Sequence, residues 1–362
     1  MKVCHINLAR GFRGGERQTE LLIEALAGMG VSQRLVMRRG SPMAAHLHGV
    51  PGLELCEIGQ PFVLHASSCR GCDLVHVHEA HAAYVALAAH WCWRLPYILT
   101  RRVDAPPGGS WINRKTYERA GIVVAISENV RAVLLGVMPQ LPITMISSTH
   151  SGLAATAVPD APANLPHSES VTAALRWWFA KKFVVGHAGA LVNRHKGQLY
   201  LIEAARLLRE RCPDLAVLLL GSGEDEAMLR AAAEGLDSVV FAGFQNDLGD
   251  WFSMMQVFAF PSLYEGLGSV VLDAMNHGLP VVGSRVGGIP EIVKHEVNGL
   301  LVPPGDAAAL AAALQRLYDD AELRVTLAEG ARLTADRYAP AAMAQAYLVH
   351  YQHCLGAAPR PA

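Results

Sequence analysis

Short apolar runs alternate with segments of helix length along almost the whole chain of 362 residues. Such runs are typical of strands buried on both faces, and the segments between them carry apolar residues at helical spacing. Strands that alternate with helices form βαβ units, which assemble into parallel sheets covered by helices. The pattern therefore predicts an α/β protein built from doubly wound, Rossmann-like domains.

The predicted strands fall into two series. The first series is Val3–Leu8, Gln33–Met37, Leu53–Ile58, Leu74–His78, Tyr97–Thr100, Ile122–Ile126 and Ile143–Ser147. The second series is Phe183–His187, Leu215–Leu220, Val239–Ala242, Val257–Phe260, Pro280–Gly283 and Gly299–Val302. The predicted helices include Glu16–Met29, Glu128–Leu135 with Ser127 as its N-cap, Gln198–Arg211, Glu224–Glu234, Ser269–His277, Ala307–Leu317 and Ala341–Cys354.

A segment rich in Pro, Ala and Ser separates the two series. Pro159, Pro162 and Pro166 are spaced so that no long helix can form across Ser151–Ser170. The chain length also suits roughly two domains of about 150 residues each. We therefore predict an N-terminal domain over residues 1–165 and a C-terminal domain over 175–337.

The charge balance limits the classes of partner. With a net charge of −1 and only 17% charged residues, the chain does not resemble a nucleic-acid-binding protein. Residues 1–40 nevertheless carry seven Lys or Arg against three acids, and residues 213–269 carry one Arg against nine acids. The basic half suggests an anionic acceptor or a membrane surface as partner, with ordinary solvated faces as the alternative.

No targeting or membrane-spanning segment is predicted. The apolar stretch Val3–Leu8 is short and interrupted by polar residues, and Ala82–Trp93 falls short of the roughly 20 residues of a membrane span. Seven cysteines, an odd and mostly scattered set, do not indicate a disulfide framework. We expect a cytoplasmic protein, with peripheral attachment to the inner face of the membrane as a hypothesis.

One group of thiols and imidazoles has the composition of a zinc site. Cys69 and Cys72 form a C-x-x-C, and His76, His78 and His81 follow closely. There is no second C-x-x-C, and a strand over Asp73–His78 would send alternate side chains to opposite faces. We therefore expect no metal site.

Ligands of doubly wound sheets bind outside the carboxyl ends of the strands, so the loops there are the candidates for chemistry. Gly11–Glu16 is a Gly-rich turn that leads into a helix, but it is not the G-x-G-x-x-G of dinucleotide-binding proteins. Gly189–Gly197 places Arg194 and Lys196 next to a helix start, where two cations suit a diphosphate. A solvated basic loop is the alternative.

The most informative segment is Pro261–Asn276. Glu265 sits in a Gly-punctuated turn after an apolar strand, and Asp273 follows eight positions later. Exposed N–H groups and the helix dipole at such a turn favour an anion, and carboxylates accept hydrogen bonds from vicinal hydroxyls. The alternative is purely structural: Glu265 would interact with the helix dipole, and Asp273 would be a solvated residue.

The second half of the chain resembles the family 4 (group 1) glycosyltransferases of GT-B fold. The similarity is dense over residues 183–318 and looser over the first half. It is carried by Gly221–Glu224, Phe241–Phe244, Pro261–Gly268, Ala274–Val282, Gly287–Val293 and Asn298–Asp306. The resemblance implies two Rossmann-like domains that face a central cleft, and a retaining transfer from a nucleotide sugar without metal or other cofactor. It also implies that the C-terminal helix, within residues 338–362, crosses back to the first domain.

The resemblance assigns roles to individual residues. Glu265 matches the first glutamate of the family's Glu-x7-Glu motif, beside the transferred sugar, and Lys196 matches the diphosphate lysine. Gly14 and Gly15 match the Gly-Gly of the N-terminal phosphate loop. The remaining predicted donor contacts are Ser222, Phe244, Gly266, Leu267, Gly268, Ser269, Val270 and Asp273.

The chain departs from the family pattern on both sides of the expected cleft. Asp273 stands where the second glutamate, a ribose ligand, is usual, and Ala190 stands where an arginine is common. We infer that Arg194 supplies that charge.

On the acceptor side, Arg101 and Arg102 occupy a loop where many members carry a histidine, and they suit an anionic glycan or glycolipid acceptor. His78, Glu79 and His81 are the other acceptor-side candidates.

The sequence therefore predicts a hexosyltransferase of polysaccharide or lipopolysaccharide assembly. Lys196, Arg194 and the Gly-rich loops would stabilise the diphosphate leaving group, and Glu265 would orient the sugar. Three alternatives remain open: a nucleotide-sugar epimerase, a phosphorylase, and a protein that binds nucleotide sugars without turnover.

Overall fold

The computed structural model describes residues 1–152, 173–245 and 247–356. The strands are β1 Lys2–Asn7, β2 Ser32–Arg38, β3 Leu53–Ile58, β4 Leu74–Val77, β5 Tyr97–Arg101, β6 Ile122–Ala125, β7 Ile143–Met145, β8 Phe183–Ala188, β9 Leu215–Leu220, β10 Val239–Gly243, β11 Val257–Phe260, β12 Val281–Ser284 and β13 Gly299–Val302.

Helices connect most of the strands. They are α1 Gly14–Gly28, α2 Met43–His46, α3 Ala80–Trp93, α4 Trp111–Glu118, α5 Glu128–Val137, α6 Ala173–Phe179, α7 Asn193–Lys196, α8 Gln198–Leu208, α9 Glu226–Ala232, α10 Gly249–Phe252, α11 Ser269–Asn276, α12 Ile289–Ile292, α13 Ala307–Asp319, α14 Ala321–Ala335 and α15 Pro340–Gly356, with 3-10 helices at Phe62–Cys69 and Asp336–Tyr338.

The chain forms two compact units. The N-terminal unit comprises Met1–Thr149 and the chain from Tyr338 onward, and the C-terminal unit comprises His150–Arg337. The predicted linker Ser151–Ser170, with the predicted boundary at residue 165, lies outside the described residues except for its first two positions. Among the described helices, none is both long and apolar enough for a membrane span.

The N-terminal unit is built on a seven-stranded parallel sheet in the order β3-β2-β1-β4-β5-β6-β7. The strand order reverses between β1 and β4, so these two strands flank the switch point of the sheet. Helix α1 buries Leu21, Leu22 and Leu26 against the sheet. Helix α15 joins the same core through residues that include Tyr347 and Tyr351, as the predicted return of the C-terminal helix requires.

The C-terminal unit is built on a six-stranded parallel sheet in the order β10-β9-β8-β11-β12-β13. Its switch point lies between β8 and β11, which pair directly. One face is covered by α8 and α13, whose apolar stripes pack into a core with β9 and β13. Leu314 of α13 is fully buried in that core.

The predicted strands are confirmed, with ends that differ by at most two residues. The predicted N-cap is also confirmed, because the Ser127 side chain accepts a hydrogen bond from the Val130 amide at 3.1 Å. Helix α14 was not predicted. Its buried face consists of Leu327 and three alanines, which give a weak hydrophobic period.

Helix α13 offers a matched test of the C-terminal core. Leu314→Ala should lower the free energy of unfolding by about 2–5 kcal/mol, because it removes a fully buried side chain and leaves a cavity. Leu207→Ala, at a position on α8 that is 57% exposed, should change it by less than about 0.5 kcal/mol. Urea titration followed by circular dichroism measures both, and equal losses would contradict the assigned core.

Candidate functional site

The loops after β8 and β11 meet at the switch point of the C-terminal sheet. The loop after β8 runs from Gly189 into α7 and α8, and the loop after β11 runs from Pro261 to α11. The His195 carbonyl accepts hydrogen bonds from the Leu263 and Tyr264 amides at 2.8 and 3.2 Å. These backbone bonds hold the two loops together at the edge where such sheets bind ligands.

Two glycines let these loops approach at backbone distance. A Cβ on Gly197 would lie 2.2 Å from the Pro261 carbonyl oxygen, and a Cβ on Gly287, after β12, would lie 1.9 Å from the Glu265 carbonyl oxygen. Both glycines have positive φ, 64° and 55°, which residues with a side chain rarely adopt. The backbone of Glu265 is therefore packed on one side against the Gly287 turn and fixed in position.

A charged pair occupies this edge. The Lys196 ammonium donates to Glu265 Oε2 at 2.5 Å, and the two side chains retain 23% and 15% of their exposed surface. The same ammonium lies 5.1 Å from the centre of the Phe260 ring, the last residue of β11. The pair is thus mostly shielded from water while staying open enough to contact a ligand.

The amino end of helix α11 points out of the same loop. Gly268 caps the helix with φ 85°, and Leu267 is buried beside it, whereas Ser269 and Val270 are partly exposed. The first N–H groups of a helix lack intrahelical partners, and the helix dipole adds a partial positive charge there. Together with Lys196 this end of the sheet offers a cation and N–H donors to an anion.

The sequence around these two loops matches a known protein family. The family model described as "Glycosyl transferases group 1" matches residues 182–320, which include both loops and α11. Residues 182–320 form a glycosyl transferases group 1 domain.

Several sequence relatives are glycosyltransferases that match part of the chain. The chain is 36% identical over 155 residues to the putative glycosyltransferase EpsD of Bacillus subtilis, an alignment that covers 42% of this chain and 41% of that protein. It is 36% identical over 169 residues to the lipopolysaccharide core biosynthesis glycosyltransferase LpsE of Rhizobium meliloti, covering 46% and 48%. The similarity therefore spans less than half the length of these relatives.

Solved structures match over nearly the whole chain. Anabaena HepE, crystallised in complex with UDP and glucose, superposes with a TM-score of 0.81 and 22% sequence identity, covering 98% of this chain and 100% of that one. A structure of a glycosyltransferase from Rickettsia africae also gives a TM-score of 0.81, at 18% identity and 99% coverage of each chain. At such identities the likeness shows the fold, and it confirms the predicted GT-B class.

Other predicted donor residues of the group 1 domain lie at its surface or hold its backbone. Arg194 is 72% exposed and pairs with Glu224 at 3.1 Å rather than with Glu265. Phe244 is 57% exposed at the end of β10, and exposed Ser222 accepts a hydrogen bond from the Leu191 amide through its carbonyl.

The Asp273 carboxylate faces the start of the predicted linker. Its Oδ1 accepts a hydrogen bond from the Ser151 amide at 2.6 Å. Asp273 is thus engaged with its own chain, and a ribose hydroxyl would share this carboxylate with the Ser151 amide.

Two buried polar residues beside Lys196 were not predicted as site residues from the sequence. His187 in β8 donates from Nδ1 to the Ala259 carbonyl at 3.0 Å, and burial lowers its pKa to about 4. Gln198, the first residue of α8, donates to the Ala190 carbonyl, and its Oε1 has no partner among the described residues. A histidine inside a predicted strand and a glutamine at a helix start carried no distinctive signal.

In the N-terminal unit, the predicted acceptor-side residues have unequal roles. The Glu79 carboxylate caps α3 by accepting from the His81 and Ala82 amides, and the His81 side chain is 73% exposed. The Arg101 guanidinium donates to the Val103 and Ala105 carbonyls and to the Tyr117 hydroxyl. Glu79 and Arg101 thus stabilise the local backbone and its surroundings.

The other predicted residues of this unit lie together. Gly14 and Gly15 open helix α1, and the Arg102 side chain passes alongside them: a Cβ on Gly15 would lie 3.8 Å from Arg102 Cδ. Arg102 Nη2 lies 3.5 Å from Nδ1 of His78, which is buried just after β4. Gly15 and His78 therefore both lie next to the Arg102 side chain.

The predicted alternation of side chains along the strand over Asp73–His78 does not separate its two imidazoles. His76 and His78 are two residues apart and share a face of the sheet, with ring centres 4.0 Å apart. With His5 of the neighbouring β1 they form a group whose ligand atoms lie within 4.8 Å of one another, and Cys69 and Cys72 do not belong to it. Burial holds these imidazoles neutral and lowers the pKa of His5 to about 3.

The Gly287 contact is testable by adding one methyl group. Gly287→Ala should lower the Tm by several degrees, because positive φ costs roughly 1–2 kcal/mol and the new Cβ would overlap the Glu265 carbonyl. Gly235→Ala is the matched control, since Gly235 has φ 75° but no atom within 4 Å of its Cβ position. Differential scanning calorimetry compares them, and equal Tm values would show that the close approach is unimportant.

Proposed function

We propose that the protein is a retaining glycosyltransferase that moves a hexose-type sugar from a nucleoside diphosphate to an acceptor hydroxyl. The observation that carries the proposal is the Lys196–Glu265 pair, held at the carboxyl ends of β8 and β11 beside the amino end of α11. A cation, N–H donors and a carboxylate at one edge match the parts of a nucleotide sugar: the diphosphate and the sugar hydroxyls.

The difficult step is the separation of an anionic diphosphate from an oxocarbenium-like sugar. Groups already aimed at the developing charge lower this barrier without reorganising. Lys196 would place its ammonium on the diphosphate, and amides of the loop before α11 and of its first turn, from Gly266 to Val270, would donate to phosphate and sugar oxygens. With these donors the proposal requires no metal or other cofactor.

Glu265 would act as an acceptor for the sugar hydroxyls and orient the transferred sugar. In the free protein its carboxylate neutralises Lys196. When the diphosphate arrives, Lys196 gains a second anionic partner and the Glu265 oxygens become available to the sugar. Retention of the anomeric configuration remains part of the proposal and comes from the family resemblance.

The donor and the pathway are suggested by the relatives. HepE has been crystallised with UDP and glucose, and LpsE is named for lipopolysaccharide core biosynthesis. We therefore propose a nucleotide-sugar donor and an acceptor from cell-surface polysaccharide or lipopolysaccharide assembly. The group 1 domain would bind the donor, and the N-terminal unit would bind the acceptor and contact phosphate through Gly14 and Gly15.

Substitutions in the pair test the proposal directly. Lys196→Met and Glu265→Gln should each reduce kcat by about 10²–10³, because each removes a charge aimed at the reacting group. Lys294→Met is the control, since Lys294 is exposed and its ammonium donates to the Pro290 carbonyl of α12. Transfer is measured as release of nucleoside diphosphate in the presence of a surface-glycan acceptor.

The assay also separates the competing functions. Near-normal turnover in Lys196→Met or Glu265→Gln would contradict the assigned site. Interconversion of the sugar without acceptor would indicate an epimerase, dependence on free phosphate would indicate a phosphorylase, and binding without turnover would indicate a non-catalytic protein.

A further inference from the structure

Arg102 is a partly buried cation that forms no salt bridge with the described residues. It follows β5, and its Nε and Nη1 atoms are shielded from solvent and have no hydrogen-bond partner among the described residues. No salt bridge within 4.0 Å joins Arg102 to an Asp or Glu of the described residues, and Glu16 acts on it only from a longer distance. The Glu16 carboxylate instead accepts a hydrogen bond from the Arg13 amide at 2.9 Å.

A chain of hydrogen bonds fixes how Arg102 is held. Gln33 Nε2 donates to the Ile23 carbonyl at 2.9 Å, so its Oε1 faces His5 and accepts from His5 Nε2 at 3.0 Å. His5 is neutral, so its Nδ1 accepts from His78 Nε2 at 2.9 Å. The lone pair of His78 Nδ1 therefore faces Arg102 Nη2 at 3.5 Å.

This arrangement places His78 as an acceptor and leaves Arg102 as a donor. Gln33 determines which nitrogen of His5 carries the proton, and His5 does the same for His78. All three side chains are buried. This series of hydrogen bonds ends on the Arg102 guanidinium, two of whose nitrogens have no partner in the part of the protein that the structure describes. A ligand there must supply acceptor oxygens and negative charge.

The same polar chain argues against a metal at His5, His76 and His78. The ring nitrogens of His5 and His78 already take part in the hydrogen bonds that link Gln33 to Arg102. The ring nitrogens of His76 form hydrogen bonds with the Tyr351 and Thr100 hydroxyls at 2.7 and 2.8 Å. A metal would have to break these bonds next to the positive charge of Arg102.

A buried donor without a partner destabilises the folded protein, and the loss is larger when the donor is charged. Arg102 as a whole is partly exposed, so an anion that reaches it would supply the missing negative charge. Gly15 leaves room beside the guanidinium stem, and the amino end of α1 favours negative charge.

We propose that Arg102, positioned by the His78–His5–Gln33 chain, is the receptor for a phosphate-type anionic group in the N-terminal unit. Arg101, its neighbour in sequence, is excluded from this role because its guanidinium is already used by three acceptors. The group can belong to an anionic acceptor or to the donor diphosphate. Its assignment to a substrate rests on the proposed function, whereas the binding itself does not.

The test uses the full chain and inorganic phosphate at constant ionic strength, followed by calorimetric titration. Wild type should bind phosphate, Arg102→Gln should bind it at least tenfold more weakly, and Arg101→Gln should bind it within about twofold of wild type. The two variants lose the same charge from adjacent positions. Equal affinities of wild type and Arg102→Gln, or no binding by wild type, would overturn the proposal.

UDP distinguishes the two sources of the anion. If the group belongs to an acceptor, phosphate binds in the presence of saturating UDP, and Arg102→Gln leaves the UDP affinity unchanged. If it belongs to the donor diphosphate, UDP displaces phosphate, and Arg102→Gln weakens UDP binding at least tenfold. Failure of the proposed function would appear as no UDP binding and no transfer while the Arg102-dependent phosphate binding persisted.

The positioning role of His78 has its own readout. His78→Phe keeps a ring but removes the acceptor that faces Arg102, so phosphate affinity should fall several-fold. His78→Gln retains an acceptor oxygen and should recover most of the affinity. A purely structural role for His78 would instead lower the Tm in both variants without this difference in affinity.

Discussion

The candidate donor site depends on the close packing of loop backbones at the carboxyl edge of the C-terminal sheet. Gly197 and Gly287 allow the loops after β8, β11 and β12 to touch without side chains between them. That contact fixes the Glu265 backbone, and the Glu265 carboxylate in turn holds the Lys196 ammonium. A charged pair on mobile loops would lose free energy in ordering, whereas here the order is supplied by the fold.

In the N-terminal unit, buried polar groups hold a charged side chain in position. A neutral imidazole chain runs from Gln33 through His5 to His78 and ends on Arg102. Burial keeps the imidazoles uncharged, so each one has a defined donor and acceptor side. Both units therefore present fixed polar groups at the switch points of their sheets, where the strand order reverses.

The sequence predicted the fold well because local signals and topology agree. Apolar runs marked every strand of both sheets, and the motif around Glu265 located the loop after β11 correctly. Helix α14 was missed because its buried face is mostly alanine, which gives little periodic contrast.

Side-chain pairing was less predictable, since it depends on contacts between distant segments. Arg194 and Lys196 lie in one loop, yet one pairs with Glu224 and the other with Glu265. The grouping of His5 with His78 required knowing that β1 and β4 are neighbours. Likewise, nothing in the adjacent Arg101 and Arg102 indicated that the first would find three acceptors, whereas two nitrogens of the second have no partner among the described residues.

The most direct test of the central claim, that the Lys196–Glu265 edge binds a nucleoside diphosphate, is a thermal-shift screen of wild type and Lys196→Met. UDP, GDP, ADP, CMP and dTDP are the ligands. A ligand at 100 times its Kd stabilises the folded state by about 2.7 kcal/mol. The account predicts that one diphosphate raises the Tm of wild type and that the shift is lost in the variant. No shift with any of them, or an equal shift in Lys196→Met, would contradict it.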